Sequence, residues 1–244
     1  MKMNLSRTEH RTFMTSEFLS AICHEIKNPL SAIIGLSEII SLEINNPKSV
    51  PECESYAKEI VKTALEINDL VHDLLDIGQV FSGNFSIDVS NKIDVRELVH
   101  RAVKLNQDFA IRRGIILTQK VAQDIAPIRL DMKRMKQVLH NLISNAIKYS
   151  PEKTEVIVFA QNIVLGEKQY LQISVKDHGF GMSEEEVVRS FQKYQTIPNP
   201  NSGKVDSFGL GLPITKDLVE RQGGKIEVIS RVGGGSEFIM QFPL

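Results

Sequence analysis

From Glu9 to Ile44 apolar and polar residues alternate with the period of a helix. At 100° per residue, Leu19, Ile22, Ile26, Leu30 and Ile33 fall in a sector of roughly 80°, one apolar stripe along a long helix. Asn45-Asn46-Pro47-Lys48-Ser49-Val50-Pro51 predicts the turn that stops it. Ile60, Ala64, Ile67, Val71, Leu74 and Ile77 then recur at threes and fours, a second helix expected to end at Gly78 and Ser82-Gly83-Asn84. Two such helices cannot bury both stripes between themselves. Pairing two hairpins closes a four-helix bundle, so a homodimer through residues 9–81 is expected. The alternative is a hairpin packed on the rest of the chain.

After residue 84 the pattern changes. Asp94 to Ala110 reads as a helix with Val95, Leu98, Val99, Ala102 and Leu105 on one side, and Gly114 to Val121 as a short strand. Asp131 opens a helix that Ser150-Pro151 terminates. Residues 154–163 and 169–176 read as strands, followed by a glycine-rich break at 179–181. Residues 191–208 are polar with two prolines and a glycine, the pattern of a mobile loop. A helix over 210–222 stops at Gly223-Gly224, and strands 225–230 and 236–242 flank Gly233-Gly234-Gly235. Helices and mostly antiparallel strands in this order predict a two-layer α/β sandwich, giving an α+β chain overall.

Composition narrows the classes. Apolar residues are 42% and charged residues 24% of 244, which excludes a disordered or collagen-like chain. The net charge of −1 implies no polyelectrolyte partner, and no nucleic acid is expected. Residues 1–82 carry 7 basic and 12 acidic side chains, residues 83–244 carry 22 and 18, a slight bias towards a small anion in the second half. Cys23 and Cys53 form no disulfide framework and no zinc spacing. No apolar run reaches the ~18 residues of a membrane span, and Met1–His10 lacks a signal-peptide core. A cytoplasmic location without membrane contact by this chain itself is expected, as the whole or as part of an anchored sensor.

His24 lies about 160° from the apolar stripe, on the side of Ser20, Asn28 and Ser31. An imidazole held in water on a rigid helix is largely neutral and nucleophilic near pH 7. Glu25 is placed to take or orient a ring proton, and Asn28, one turn on, to position water or a phosphoryl oxygen. Most histidines on solvated helix faces do no chemistry. Pro29 adds weight, because an interior proline costs ~3 kcal/mol and kinks a helix. Chemistry is favoured if the second half supplies a co-substrate.

It offers three segments. Asn141, Asn145 and Lys148 share one helix face, where amide oxygens suit Mg²⁺ and a lysine suits phosphate. Asp177-His178-Gly179-Phe180-Gly181 follows a strand, placing a carboxylate where it can accept an exocyclic amine while glycines admit a flat base. Gly209-Leu210-Gly211-Leu212 opens a helix, whose free N–H groups form an anion site. Each is weak singly, since surface asparagines and tight turns are common. Their order is specific.

The chain resembles the catalytic part of bacterial two-component sensor histidine kinases. His24-Glu25-Ile26-Lys27-Asn28-Pro29 is similar to the phospho-acceptor box, Asn141 to Tyr149 to the N box, and Asp177 to Gly181 to the G1 box. Phe191-Gln192-Lys193-Tyr194 resembles the F box, Gly209 to Leu212 the G2 box, and Gly223 to Phe238 the closing hairpin. The family's additional glycine and small hydroxyl residue before the G2 box are here Ser207 and Phe208.

The resemblance implies a dimerisation and phosphotransfer hairpin over 9–82 and a Bergerat-type ATP-binding domain over 83–244, with a lid at 191–208. His24 would take a phosphoryl group from ATP and pass it to an aspartate of a response regulator, with Glu25 as base and Asn28 serving the reverse, phosphatase reaction. Asn145 would bind Mg²⁺ with Asn141 supporting it. Lys148 and Tyr149 would contact the nucleotide, Asp177 with Gly179 and Gly181 the adenine, and Gly209, Leu210, Gly211 and Leu212 the phosphates. An ATP hydrolase or clamp of the same fold is the first alternative, but Asn141 stands where such relatives place a water-activating glutamate. An anti-sigma serine kinase leaves His24 and its hairpin without a role. A non-catalytic docking module is the third.

Overall fold

The computed structural model of the chain describes residues 23, 26–43, 46, 49–81, 87–192, 195 and 209–244. The chain divides into two compact units, Met1–Asp76 and Ile77–Leu244.

The described residues of the first unit are mainly helical. Helix α1 covers residues 26–43, with Pro29 inside it; the remainder of the helix expected from Glu9 lies outside the described residues, apart from Cys23, which is helical. Glu43 organises the turn that follows: its carboxylate accepts the Ser49 hydroxyl at 2.7 Å, and its carbonyl accepts the Asn46 amide at 2.9 Å. Helix α2 then runs Val50–Phe81. Val50 and Pro51, expected in the turn, form its first residues, where a proline lacks nothing the helix needs. Gly78 does not end α2, which continues three residues beyond it. One glycine in a helix interior costs only about 1 kcal/mol, too little to stop 32 residues of continuous helix. Of the described stripe residues, Leu30 is 47% and Val71 38% exposed, while Ile26, Ile33, Ile60 and Ile67 are half-buried.

The second unit is a five-stranded sheet in the order β2-β4-β5-β7-β6, built from β2 (Ile116–Val121), β4 (Glu155–Leu165), β5 (Lys168–Lys176), β6 (Lys225–Arg231) and β7 (Gly235–Pro243). β2 and β4 are parallel and the other pairs antiparallel. Alternation along each strand puts Val156, Val158, Leu171, Ile173, Val175, Phe238, Met240 and Phe242 into the core. Helices α3 (Val95–Arg112), α4 (Met132–Lys148) and α6 (Gly211–Glu220) complete the α/β layering, α3 packing on α4 and β2 and α4 on α6. Asp94 and Asp131 cap α3 and α4, each side chain accepting two backbone N–H groups. At the far end of α3 the Ile115 amide reaches the Ala110 carbonyl and the Gly114 amide that of Ile111, the paired bonds of a Schellman stop.

Three elements have no counterpart in the expected pattern. β1 (Lys92–Ile93) pairs antiparallel with β3 (Ile128–Arg129), each too short to show a period. Helix α5 (Glu184–Ser190) is opened by a capping box between Ser183 and Glu186.

Candidate nucleotide site

Helix α4 carries Asn141, Asn145 and Lys148 because its opposite face, Val138, Leu139, Leu142, Ile143, Ala146 and Ile147, is fully committed to the core. Burial of that face fixes the rotation of the helix about its axis. The polar residues therefore keep a set direction.

Asn141 is engaged at both ends of its amide. Nδ2 donates to Thr215 Oγ1 at 2.7 Å, and Oδ1 accepts Nδ2 of Asn145 at 3.4 Å. The start of α6 presses on the same amide: a Cβ on Gly211 would lie 2.4 Å from Asn141 Oδ1 and would displace that amide. Gly211 thus serves the contact between two helices as well as an open helix start. No side chain caps α6, Leu210 at its N-cap is buried, and its first-turn N–H groups at Gly211 and Leu212 precede the first intrahelical bond, from Ile214 to Leu210. That arrangement favours an anion.

Asp177, at the end of β5, is 5% exposed. Its Oδ1 accepts the amides of Gly179 at 2.8 Å and Ser236 at 3.0 Å, while Oδ2 takes no hydrogen bond among the described residues. Burial pushes the carboxyl above the usual carboxylate range; the two backbone donors and His178 oppose that shift. Gly181 has φ +66° and would bring a Cβ within 1.9 Å of the Arg231 carbonyl oxygen, so only glycine is tolerated where this turn crosses β6. Gly179 is buried against the Tyr149 carbonyl, which joins the end of α4 to the Asp177 turn. Lys148 and Tyr149 are half-buried at that end.

Other expected residues are placed as follows. Gly209 lies against the backbone of Gln195. Phe191 packs edge-on to Phe238 with ring centroids 6.4 Å apart, and Nζ of Lys216 on α6 lies over the Phe191 ring at 5.7 Å from its centroid. Asn28 is exposed on α1. His24, Glu25, Lys193, Tyr194, Ser207, Phe208 and most of the expected lid lie outside the described residues.

Thr215 and Ser236 escaped the sequence pattern. Their roles depend on partners 74 and 59 positions away. The one local signal is Thr215 four residues after Gly211, on the same face of α6.

Residues 14–82 match the His Kinase A (phospho-acceptor) domain, and residues 130–244 the histidine kinase-, DNA gyrase B- and HSP90-like ATPase domain. The sensor protein GacS of Pseudomonas syringae is 32% identical over 248 aligned residues, covering 100% of this chain and 27% of that protein. The cell-division control histidine kinase PdhS of Brucella ovis is 30% identical, covering 96% and 23%. The chain thus spans about a quarter of the length of these relatives. Among solved structures, full-length ShkA in complex with AMPPNP superposes with a TM-score of 0.59 at 25% identity, covering 94% of this chain and 46% of that one. ThkA in complex with the response regulator TrrA gives 0.63 at 20% identity, covering 96% and 63%, a likeness of fold. With a phospho-acceptor domain followed by this type of ATPase domain, the chain belongs to the bacterial sensor histidine kinases, of which it represents the catalytic region.

Proposed function

We propose that the chain is an autophosphorylating histidine kinase of a two-component system, organised as a hairpin over 9–82 and a nucleotide-binding domain over 83–244. The observation that carries the reaction type is the state of Asn141. An amide is a poor base, and both of its polar atoms are held by Thr215 and Asn145, so the cradle offers no group there to activate water. Transfer to an imidazole fits this site better than hydrolysis.

In this reading Asp177 Oδ2 accepts the exocyclic amine of adenine, while Oδ1 stays bound to the protein. Gly179 and Gly181 admit the base, Lys148 and Tyr149 line the nucleotide, and Gly209, Leu210, Gly211 and Leu212 present backbone to the phosphates. The residues also fit Mg²⁺. Nδ2 of Asn145 is used towards Asn141, which leaves its Oδ1 as a hard ligand. No cluster of three acidic, histidine or cysteine side chains suits a metal among the described residues, so the phosphates would supply the other ligands. Bound there, the cation would neutralise charge on the phosphates.

The chemical step joins a ring nitrogen of His24 to the γ-phosphorus as the bond to the bridging oxygen breaks and ADP leaves. Glu25 takes the ring proton. The phosphoryl group then passes to a carboxylate of a response regulator, and Asn28, exposed on α1, orients water for the reverse, phosphatase reaction. The exposed stripe residues Leu30 and Val71 support a homodimer through the hairpin. Among the described residues no helix is long and apolar enough to cross a membrane, and we place this region on the cytoplasmic side of a sensor.

The test is the chemistry of the label left by γ-labelled ATP. Loss in acid with survival in base identifies phosphohistidine. An acid-stable label would indicate a serine kinase, and no label a docking module.

A further inference from the structure

We propose that Ser230 is a positioning residue for the adenine side of this site, closing the turn that aims Asp177. The inference rests on the reading of Asp177 as the adenine acceptor given above. Ser230 is half-buried near the end of β6, paired in register with Ser236 of β7. Its Oγ accepts the Met182 amide at 2.8 Å, and lies 3.1 Å from the Gly235 carbonyl oxygen and 2.9 Å from Ser236 Oγ. The sense of the first bond is fixed, because a backbone N–H only donates. The single hydroxyl hydrogen goes to Gly235 or to Ser236, and either choice keeps Oγ an acceptor for Met182.

Met182 ends the turn that Asp177 begins. At the entry, the Ser236 amide holds Asp177 Oδ1 at 3.0 Å; at the exit, Ser230 holds Met182. Two facing serines of the β6–β7 hairpin thus grip both ends of residues 177–182. Between them the Gly233 amide donates to the Phe180 carbonyl at 2.6 Å. The bonds from Ser236 and Gly233 come from hairpin backbone, which a side-chain substitution leaves in place. Ser230 holds the turn by its side chain. Met182 is only 8% exposed, so without that hydroxyl its amide stays buried with no acceptor or pulls the turn towards water. The second course moves Gly179, Gly181 and the free oxygen of Asp177 together. A recognition contact tolerates a displacement of roughly 0.5 Å, so a loosened exit weakens the grip on the base.

Threonine and valine at this position share a shape and differ by the hydroxyl, which separates the bond from the packing. The full chain is titrated by calorimetry with ADP and with inosine diphosphate, whose base presents a carbonyl where adenine has its amine. The proteins are the wild type, Ser230→Ala, Ser230→Thr, Ser230→Val, Asp177→Asn and the double variant Ser230→Ala with Asp177→Asn, with unfolding midpoints recorded alongside. Ser230→Ala and Ser230→Val should lose about three- to tenfold in ADP affinity, and Ser230→Thr should keep the wild-type value. Affinity for inosine diphosphate should stay within about twofold throughout the Ser230 series. On the Asp177→Asn background, Ser230→Ala should change ADP affinity by less than about twofold, because the two act through one contact. An equal loss for both nucleotides, no loss in a folded Ser230→Ala, equal losses in the threonine and valine variants, or additive losses in the double variant would overturn the proposal. Hydrogen exchange on the wild type reads the same bond without any substitution: the Met182 amide should be protected, and exchange at the rate of an open turn would also overturn it. If Asp177→Asn binds ADP as tightly as the wild type, the adenine assignment itself fails.

Discussion

Asp177 and Ser236 exchange two hydrogen bonds across the junction of β5 and β7. The Asp177 amide donates to the Ser236 carbonyl at 2.9 Å, and the Ser236 amide returns a bond to Asp177 Oδ1 at 3.0 Å. One of the pair is an ordinary ladder bond. The other spends a carboxylate oxygen on the backbone, and the hairpin that carries Ser236 thereby fixes the direction of the remaining oxygen.

Asp177→Asn separates binding from folding. An amide oxygen can still accept from Gly179 and Ser236, but the other position becomes a donor facing a donor. ADP affinity is expected to fall at least about tenfold. The unfolding midpoint should hold or rise near neutral pH, because a buried charge has been removed. Parallel nucleotide titration and thermal melts check both halves.

The raised Asp177 carboxyl also predicts a pH dependence. Between the unfolded pKa, near 3.8, and the higher folded value, the folded chain binds more protons than the unfolded one. This group therefore adds stability as pH falls through the folded pKa, and withdraws it as pH rises. Nucleotide binding runs the other way, since protonation removes an acceptor. ADP affinity should decline on acidification at a higher pH than an ordinary aspartate would give, and Asp177→Asn should flatten that limb of the profile.

How much of this was legible in the sequence varies by element. Helix α4 was, because its apolar face and its Asp131 cap are both local signals, and the direction of Asn141 and Asn145 follows from the same rotation. The Asp177 turn was legible as a strand end followed by glycines. Thr215 was not, since its partner lies on another helix and no periodicity links them. The β1–β3 pair is too short for alternation to register, and α5 too short for a helical period, though Ser183 and Glu186 carry its capping signal. Gly78 was misread as a stop because punctuation by one glycine is weak against a long apolar stripe.

Gly181→Ala should act on folding. The new Cβ meets the Arg231 carbonyl at a backbone angle that favours glycine. Overpacking and a left-handed alanine together are expected to cost roughly 2–4 kcal/mol. Denaturant unfolding of the second unit's transition measures it, with Gly166→Ala, which has open space but a similar φ, as the milder comparison.

The exposed hairpin stripe predicts its own failure mode. A charge at Leu30 or Val71 would be buried in a four-helix bundle but is harmless on a monomer surface. Leu30→Glu with Val71→Glu should convert a dimer to monomer in sedimentation equilibrium. Helix content should be largely kept, and nucleotide affinity unchanged.

The central claim is that one imidazole, His24, receives the phosphoryl group. The most direct measurement incubates the full chain and its His24→Gln variant with γ-labelled ATP, and titrates both with ADP. The account predicts an acid-labile, base-stable label on the wild type and none on the variant, with equal nucleotide affinity. A label that persists in His24→Gln, or a wild type that binds nucleotide and never acquires one, would contradict it.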